Sequence, residues 1–205
     1  MLLHRPPTNH NVSPCQFHAL PERMFLMLTV EDTLLVIVDI QEKLWRAMHE
    51  KEAMLEHAVK MVQAAKILGL PMLWTEQNPH GLGPTVPEIR ELLVDMEPIS
   101  KLSFSCAGEP RFQEELERMD RDQDLIAGME SHVCVYQTVV DLLDLGYEVE
   151  VLIDAVSSRT LENKSLGLTK CEMNGAGLTS VETAIFELLR SAEGEEFKQI
   201  LKVVK

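Results

Sequence analysis

Residues 33–40 (Thr33-Leu34-Leu35-Val36-Ile37-Val38-Asp39-Ile40) are β-branched or apolar at nearly every position. A strand with one wet face alternates polar and apolar residues. An unbroken run such as this one marks a strand covered on both faces, the situation inside a parallel sheet flanked by helices. The rest of the chain agrees. Residues 51–68 carry Met54, Leu55, Ala58, Met61, Val62 and Ala65 at helical spacing, and Gly69 stops them. Strand patterns follow at 71–76, 98–101, 124–129 and 147–153, with a last strand after Gly177. Helical patterns fall at 88–94, 112–119, 135–145, 161–173, 181–189 and 196–203. Strands separated by helices pair in parallel through right-handed crossovers. The expected fold is therefore α/β: a doubly wound three-layer sandwich around a six-stranded, mostly parallel sheet. Its order would be the Rossmann-like 3-2-1-4-5-6.

The chain of 205 residues suits one domain with a full-sized core. Residues 1–23 are polar and rich in Pro and His, lack the apolar segment of a secretory signal, and read as a disordered tail; residues 24–205 read as the folded domain. A net charge of −14 disfavours nucleic acid and anionic membrane as partners. No apolar run reaches the roughly 18 residues needed to span a bilayer. Cys15, Cys106, Cys134 and Cys171 form neither a CxxC pair nor a tight even spacing. A disulfide framework or a zinc site is therefore not expected, and free thiols fit a reducing cytoplasm. After the first strand, Asp39-Ile40-Gln41-Glu42-Lys43 offers no glycine-rich phosphate loop, so no nucleotide cofactor is expected.

In a doubly wound sheet, ligands bind outside the carboxyl ends of the strands. The polar residues at the ends of strands one, three and four are Asp39, Lys101 and Cys134. Each has a plain reading when taken alone. Asp39 is a helix cap or strand end, Lys101 a surface solubiliser, and Cys134 a small buried hydrophobe. Together they make a nucleophile, a base and an orienting charge. Cys134 lies in Gly128-Met129-Glu130-Ser131-His132-Val133-Cys134, between a strand and a helix, where free N–H groups and the helix dipole favour thiolate.

These segments resemble the isochorismatase-like cysteine hydrolases, the superfamily that includes nicotinamidases and N-carbamoylsarcosine amidases. The resemblance spans about residues 32–205 and rests on several pieces. They are Leu35-Val36-Ile37-Val38-Asp39-Ile40-Gln41, Ser100-Lys101-Leu102-Ser103-Phe104-Ser105, the stretch from Gly128 to Val135, and Asp154-Ala155-Val156-Ser157-Ser158-Arg159. The segment from Ala176 to Phe186 and the ending Phe197-Lys198-Gln199-Ile200 are similar to the isochorismatase domain-containing branch. The resemblance implies Asp39 as general base and later acid, Lys101 as its electrostatic partner and Cys134 as nucleophile. It implies a cis peptide bond at Met129–Glu130 and an oxyanion hole made of the Glu130 and Cys134 N–H groups. The implied reaction is hydrolysis of a small carboxamide through a Cys134 thioester. The family also implies a homo-oligomer, a dimer or larger.

The stretch Trp74-Thr75-Glu76-Gln77-Asn78-Pro79-His80 lacks the Asp-x-His metal pattern of nicotinamidases, so neither a metal nor any other cofactor is expected. Leu44, Trp45, Gln77 and Phe104 are candidates for a substrate wall, with core packing as the alternative for Leu44, Trp45 and Phe104. Glu76 is a pocket candidate beside Gln77, with a structural role in the loop as the alternative for both. His132 reads as structural. Cys106 and Cys171 read as inert thiols. The stretch from Asp154 to Arg159 reads as a strand end and loop. Two other functions stay open: vinyl-ether hydrolysis, which needs no thiol, and an idle scaffold of the same fold. A thiol redox protein is disfavoured because no resolving cysteine lies near Cys134 in sequence.

Overall fold

The computed structural model describes residues 27–205. The tail expected over 1–23 lies outside the described residues. In chain order the elements are β1 (Thr33–Val38), α1 (Glu42–Trp45), α2 (Lys51–Leu68), β2 (Met72–Gln77), α3 (Pro79–Leu82), α4 (Pro87–Arg90), β3 (Ile99–Lys101), α5 (Pro110–Met119), β4 (Gln123–Met129), α6 (Tyr136–Leu145), β5 (Glu148–Ser157), α7 (Leu161–Met173), β6 (Gly177–Thr179), α8 (Val181–Leu189) and α9 (Gly194–Val204). A 3-10 turn (Cys106–Gly108) precedes α5, and a π-helical turn (Ser131–Val135) precedes α6.

The six strands run in the order β3-β2-β1-β4-β5-β6, and every pair is parallel. The β1 run is buried along its whole length because β2 and β4 flank it and helices cover both faces. Its odd-numbered residues Leu35 and Ile37 join the layer formed with α2, α4, α8 and α9. Leu34, Val36 and Val38 join the layer formed with α5, α6 and α7. That division by parity is the period-two side-chain alternation of a strand expressed in a three-layer sandwich. Among the described residues no helix is long and apolar enough to cross a membrane.

Two elements depart from expectation. The helix expected at 88–94 is a single α-helical turn, Pro87–Arg90, continued by tight turns. The fifth strand runs on to Ser157, four residues beyond the apolar run. Its register against β4 slips between Ile126 and Gly128, and the Val156 and Ser157 end re-pairs with Gly128 and Met129. The bulge absorbs extra residues and carries the polar end of β5 alongside the chain entering the turn that holds Cys134.

Candidate active site

Three strands end on a residue with left-handed backbone that is not glycine. These are Asp39 (φ 54) after β1, Asn78 (φ 39) after β2 and Glu130 (φ 58) after β4. Each turns the chain sharply at the carboxyl edge of the sheet. The turn at Met129–Glu130 corrects one expectation: no peptide bond among the described residues is cis. The reversal is made by the dihedrals of Gly128 and Glu130 instead. A cis bond between non-proline residues costs about 3 kcal/mol, more than one left-handed residue. Gly128 is required for a second reason. A Cβ there would lie 2.6 Å from the Val38 Cβ on the neighbouring strand.

Asp39 and Lys101, from strands separated by β2, meet at the edge. The Lys101 Nζ donates to Asp39 Oδ2 at 2.6 Å, and both side chains are fully buried. Lys101 also donates to Gln77 Oε1 at 3.0 Å and to the Phe104 carbonyl at 3.0 Å, with the Ser103 carbonyl at 3.3 Å. Burial pulls its pKa down, but its electrostatic coupling to Cys106, Asp39 and Cys134 and its hydrogen bond to Asp39 more than reverse this, so the ammonium lies above the ordinary lysine value. Thr75 of β2 donates to Asp39 Oδ1 at 2.8 Å. Asp39 thus receives one donor on each oxygen.

Cys134 is 4% exposed in the π-helical turn that opens α6. Burial first, and then the charge of Asp39, push its thiol well above the ordinary value, with Lys101 opposing. This corrects the thiolate expected from the helix start. In so dry a position, next to a carboxylate, the resting group is the thiol. The arrangement can move a proton from sulfur to Asp39 while Lys101 neutralises the pair.

The other residues sort by contact. Gln77 is committed to the lysine and, through Nε2, to the Leu102 carbonyl at 2.9 Å, so it positions Lys101 rather than facing an open wall. Gln41 secures the strand end carrying it. Its Oε1 accepts from Gln77 N at 2.8 Å, and its Nε2 donates to the Gly83 carbonyl at 2.6 Å. Glu76 holds the loop at Thr85 through the Thr85 N–H at 2.7 Å and hydroxyl at 2.9 Å. Leu44 and Trp45 pack against the core, and the indole N–H of Trp45 donates to the Lys51 carbonyl at 3.1 Å. Phe104 is 55% exposed and Leu102 79% exposed, both on the loop that follows Lys101.

Glu130 is anchored on the opposite side. Its Oε1 lies 2.9 Å from Arg159 Nε and its Oε2 lies 3.3 Å from His132 Nδ1. Ser158 lies 2.6 Å from the Ser131 hydroxyl and 3.0 Å from His132 Nδ1. Ser158 and Arg159, at the end of the segment from Asp154 to Arg159, therefore prop the turn that holds Cys134.

Sequence reasoning missed Thr75, Gln41, Ser158 and Cys106. A threonine late in the strand beside that of Asp39 was a usable signal for Thr75. Cys106, expected to be an inert thiol, has partners in the structure. Its Sγ lies 3.6 Å from Thr75 Oγ1, and its N–H donates to Thr138 Oγ1 at 2.9 Å.

Fold and site together describe an α/β protein whose strand ends gather a buried carboxylate, an ammonium and a thiol. Residues 33–183 match the family described as Isochorismatase domain, and the chain belongs to that family, within the isochorismatase-like hydrolase superfamily. It is 36% identical to the isochorismatase domain-containing protein 2A of Mus musculus over 176 residues, covering 85% of this chain and 84% of the mouse protein. It is 33% identical to a solved structure titled MAR1 ribonuclease, from Caenorhabditis elegans, with a TM-score of 0.82 and coverage of 87% and 92%. The ycaC gene product of Escherichia coli, titled an octameric hydrolase of unknown specificity, shares the fold at a TM-score of 0.83 and 21% identity, covering 88% of this chain and 92% of that one.

Proposed function

We propose that this protein hydrolyses a small carboxamide through a Cys134 thioester, without a cofactor. The observation that carries the reading is the Asp39 carboxylate, held at 2.6 Å by a fully buried Lys101 and close enough to the Cys134 thiol to act on it electrostatically. Asp39 takes the thiol proton as sulfur attacks the carbonyl carbon. The Glu130 and Cys134 N–H groups receive the oxyanion. When the tetrahedral intermediate collapses, Asp39 returns the proton to the leaving nitrogen and ammonia or an amine departs. Asp39 then deprotonates water, which attacks the thioester, and the carboxylic acid leaves with the thiol restored.

The high resting position of the thiol fits this cycle. Proton and sulfur nucleophile separate only when a substrate carbonyl is in place, and Lys101 balances the charge throughout. Leu102 and Phe104, on the loop that follows Lys101, leave apolar side chains exposed. Exposed apolar side chains beside a site are covered economically by a second copy, and the octameric E. coli neighbour supports a homo-oligomer here.

Ammonia release measured across a panel of small aliphatic and aromatic carboxamides tests the reading. Turnover of at least one amide, absent in Cys134→Ala, is the expected result. The panel includes a single-stranded RNA, because the C. elegans relative is titled a ribonuclease. The net charge of −14 repels a polyphosphate chain, which is why the amide is preferred. RNA cleavage with no amide turnover would overturn the proposal. Sedimentation of the purified protein measures its assembly state.

A further inference from the structure

Behind the Asp39–Lys101 pair lies a second, fully buried thiol that the proposed cycle does not use. Cys106 is 0% exposed and Thr75 is 1% exposed. The single hydroxyl proton of Thr75 goes to Asp39 Oδ1 at 2.8 Å, because an ionised carboxylate has no proton to give. Thr75 Oγ1 is then an acceptor toward Cys106, whose Sγ lies 3.6 Å away. The direction is therefore fixed: Cys106 S–H donates to Thr75, and Thr75 O–H donates to Asp39. The far end is tied down as well. The Cys106 N–H donates to Thr138 Oγ1 at 2.9 Å, and Thr138 sits on α6, one turn beyond Cys134. Burial pushes the Cys106 thiol up to about 11, with Lys101 opposing, so it keeps its proton through the neutral range.

From these contacts we infer that Thr75 and Cys106 are positioning residues that set the base strength of Asp39, a reading that rests on the proposed hydrolase cycle. A donor on Oδ1 stabilises the carboxylate and weakens it as a base. It also fixes the carboxylate plane, with Thr75 on Oδ1 and Lys101 on Oδ2. The titratable groups around Asp39 are Lys101 from β3, Cys106 from the 3-10 turn and Cys134 from the π-helical turn. Thr75 acts on Asp39 without itself titrating, so its removal changes base strength and leaves the charge balance of the site intact.

Two readouts on the full-length protein test this. One is the rate of Cys134 alkylation by iodoacetamide as a function of pH, with the modified residue assigned by peptide mass. The other is the pH profile of kcat/KM for an amide the wild type turns over. In Thr75→Val the acid limb of both profiles moves to higher pH, by about one pH unit for a lost hydrogen bond to a charged group. Thr75→Ser, which keeps the hydroxyl, restores the wild-type limb. Cys106→Ala moves the limb in the same direction by less, and Cys106→Ser moves it back, so the inference remains testable if Thr75→Val does not fold. Unchanged limbs in Thr75→Val and Cys106→Ala overturn the inference, as does a shift that Thr75→Ser shares. Alkylation needs no substrate. A wild type that hydrolyses no amide therefore sinks the hydrolase reading alone and leaves the alkylation comparison to decide the role of Thr75.

Discussion

Gly167 of α7 packs directly on the backbone of Ser131, the first residue of the turn that holds Cys134. A Cβ on Gly167 would fall 2.5 Å from the Ser131 carbonyl carbon and oxygen and 2.6 Å from the His132 nitrogen. These are backbone atoms and cannot swing aside as a flexible side chain would. In Gly167→Ala, α7 and the turn must separate, moving Cys134 relative to Asp39. A displacement near 1 Å costs on the order of 100-fold in rate, and overpacking costs about 1–3 kcal/mol, partly offset by the better helix propensity of alanine. Amide turnover together with thermal melting of the variant checks both.

Cys134→Ala deletes the proposed nucleophile and leaves a small gap in a buried site. Turnover falls by on the order of 10,000-fold or more, while unfolding stays cooperative. Activity in this variant comparable to wild type would sink the thioester mechanism.

Lys101→Met leaves Asp39 buried without its counter-charge. Breaking a buried pair on one side costs about 3–5 kcal/mol. The double variant Asp39→Asn, Lys101→Met carries no buried charge and recovers most of that loss while remaining inactive. Urea unfolding midpoints of the three proteins measure it. Equal stability of wild type and Lys101→Met would show that the pair is solvated.

Asp124 sits on β4, 0% exposed, and neither of its carboxyl oxygens has a hydrogen-bond partner among the described residues. Burial raises its pKa from 3.8 to about 8. Between those values the folded chain holds a proton that the unfolded chain has lost. The contribution to stability is therefore complete below about pH 4 and declines as pH rises toward 8, by about 1.4 kcal/mol per pH unit. Chemical denaturation from pH 5 to 8 should show this decline in the wild type and a flatter profile in Asp124→Asn.

Much of this architecture is legible in the linear chain. The run from Thr33 to Val38, the helical spacing from Met54 to Ala65 and the stop at Gly69 are local signals, and the observed β1 and α2 follow them. Topology follows from alternation, and it places Asp39 and Lys101 at one edge. The end of β5 is not legible, because Asp154 and Ser157 are polar and only their pairing across a bulge makes them strand. Cys106 is opaque for another reason: its partners Thr75 and Thr138 lie 31 and 32 residues away, and no local pattern announces a contact at that range. The protonation of Cys134 depends on depth of burial and on a carboxylate from another strand, neither of which a helix-start motif encodes.

The left-handed residues at the ends of β1, β2 and β4 bear on how this enzyme fold responds to selection. Glycine relieves each of those conformations at a gain of up to about 1 kcal/mol. A screen that rewards heat resistance alone will collect glycine there. At position 78 the change is harmless to the proposed chemistry. At 39 it removes the proposed base, and at 130 it removes the carboxylate that Arg159 holds. Durability and turnover thus pull the same codons in opposite directions, and libraries built to harden this protein should leave 39 and 130 untouched.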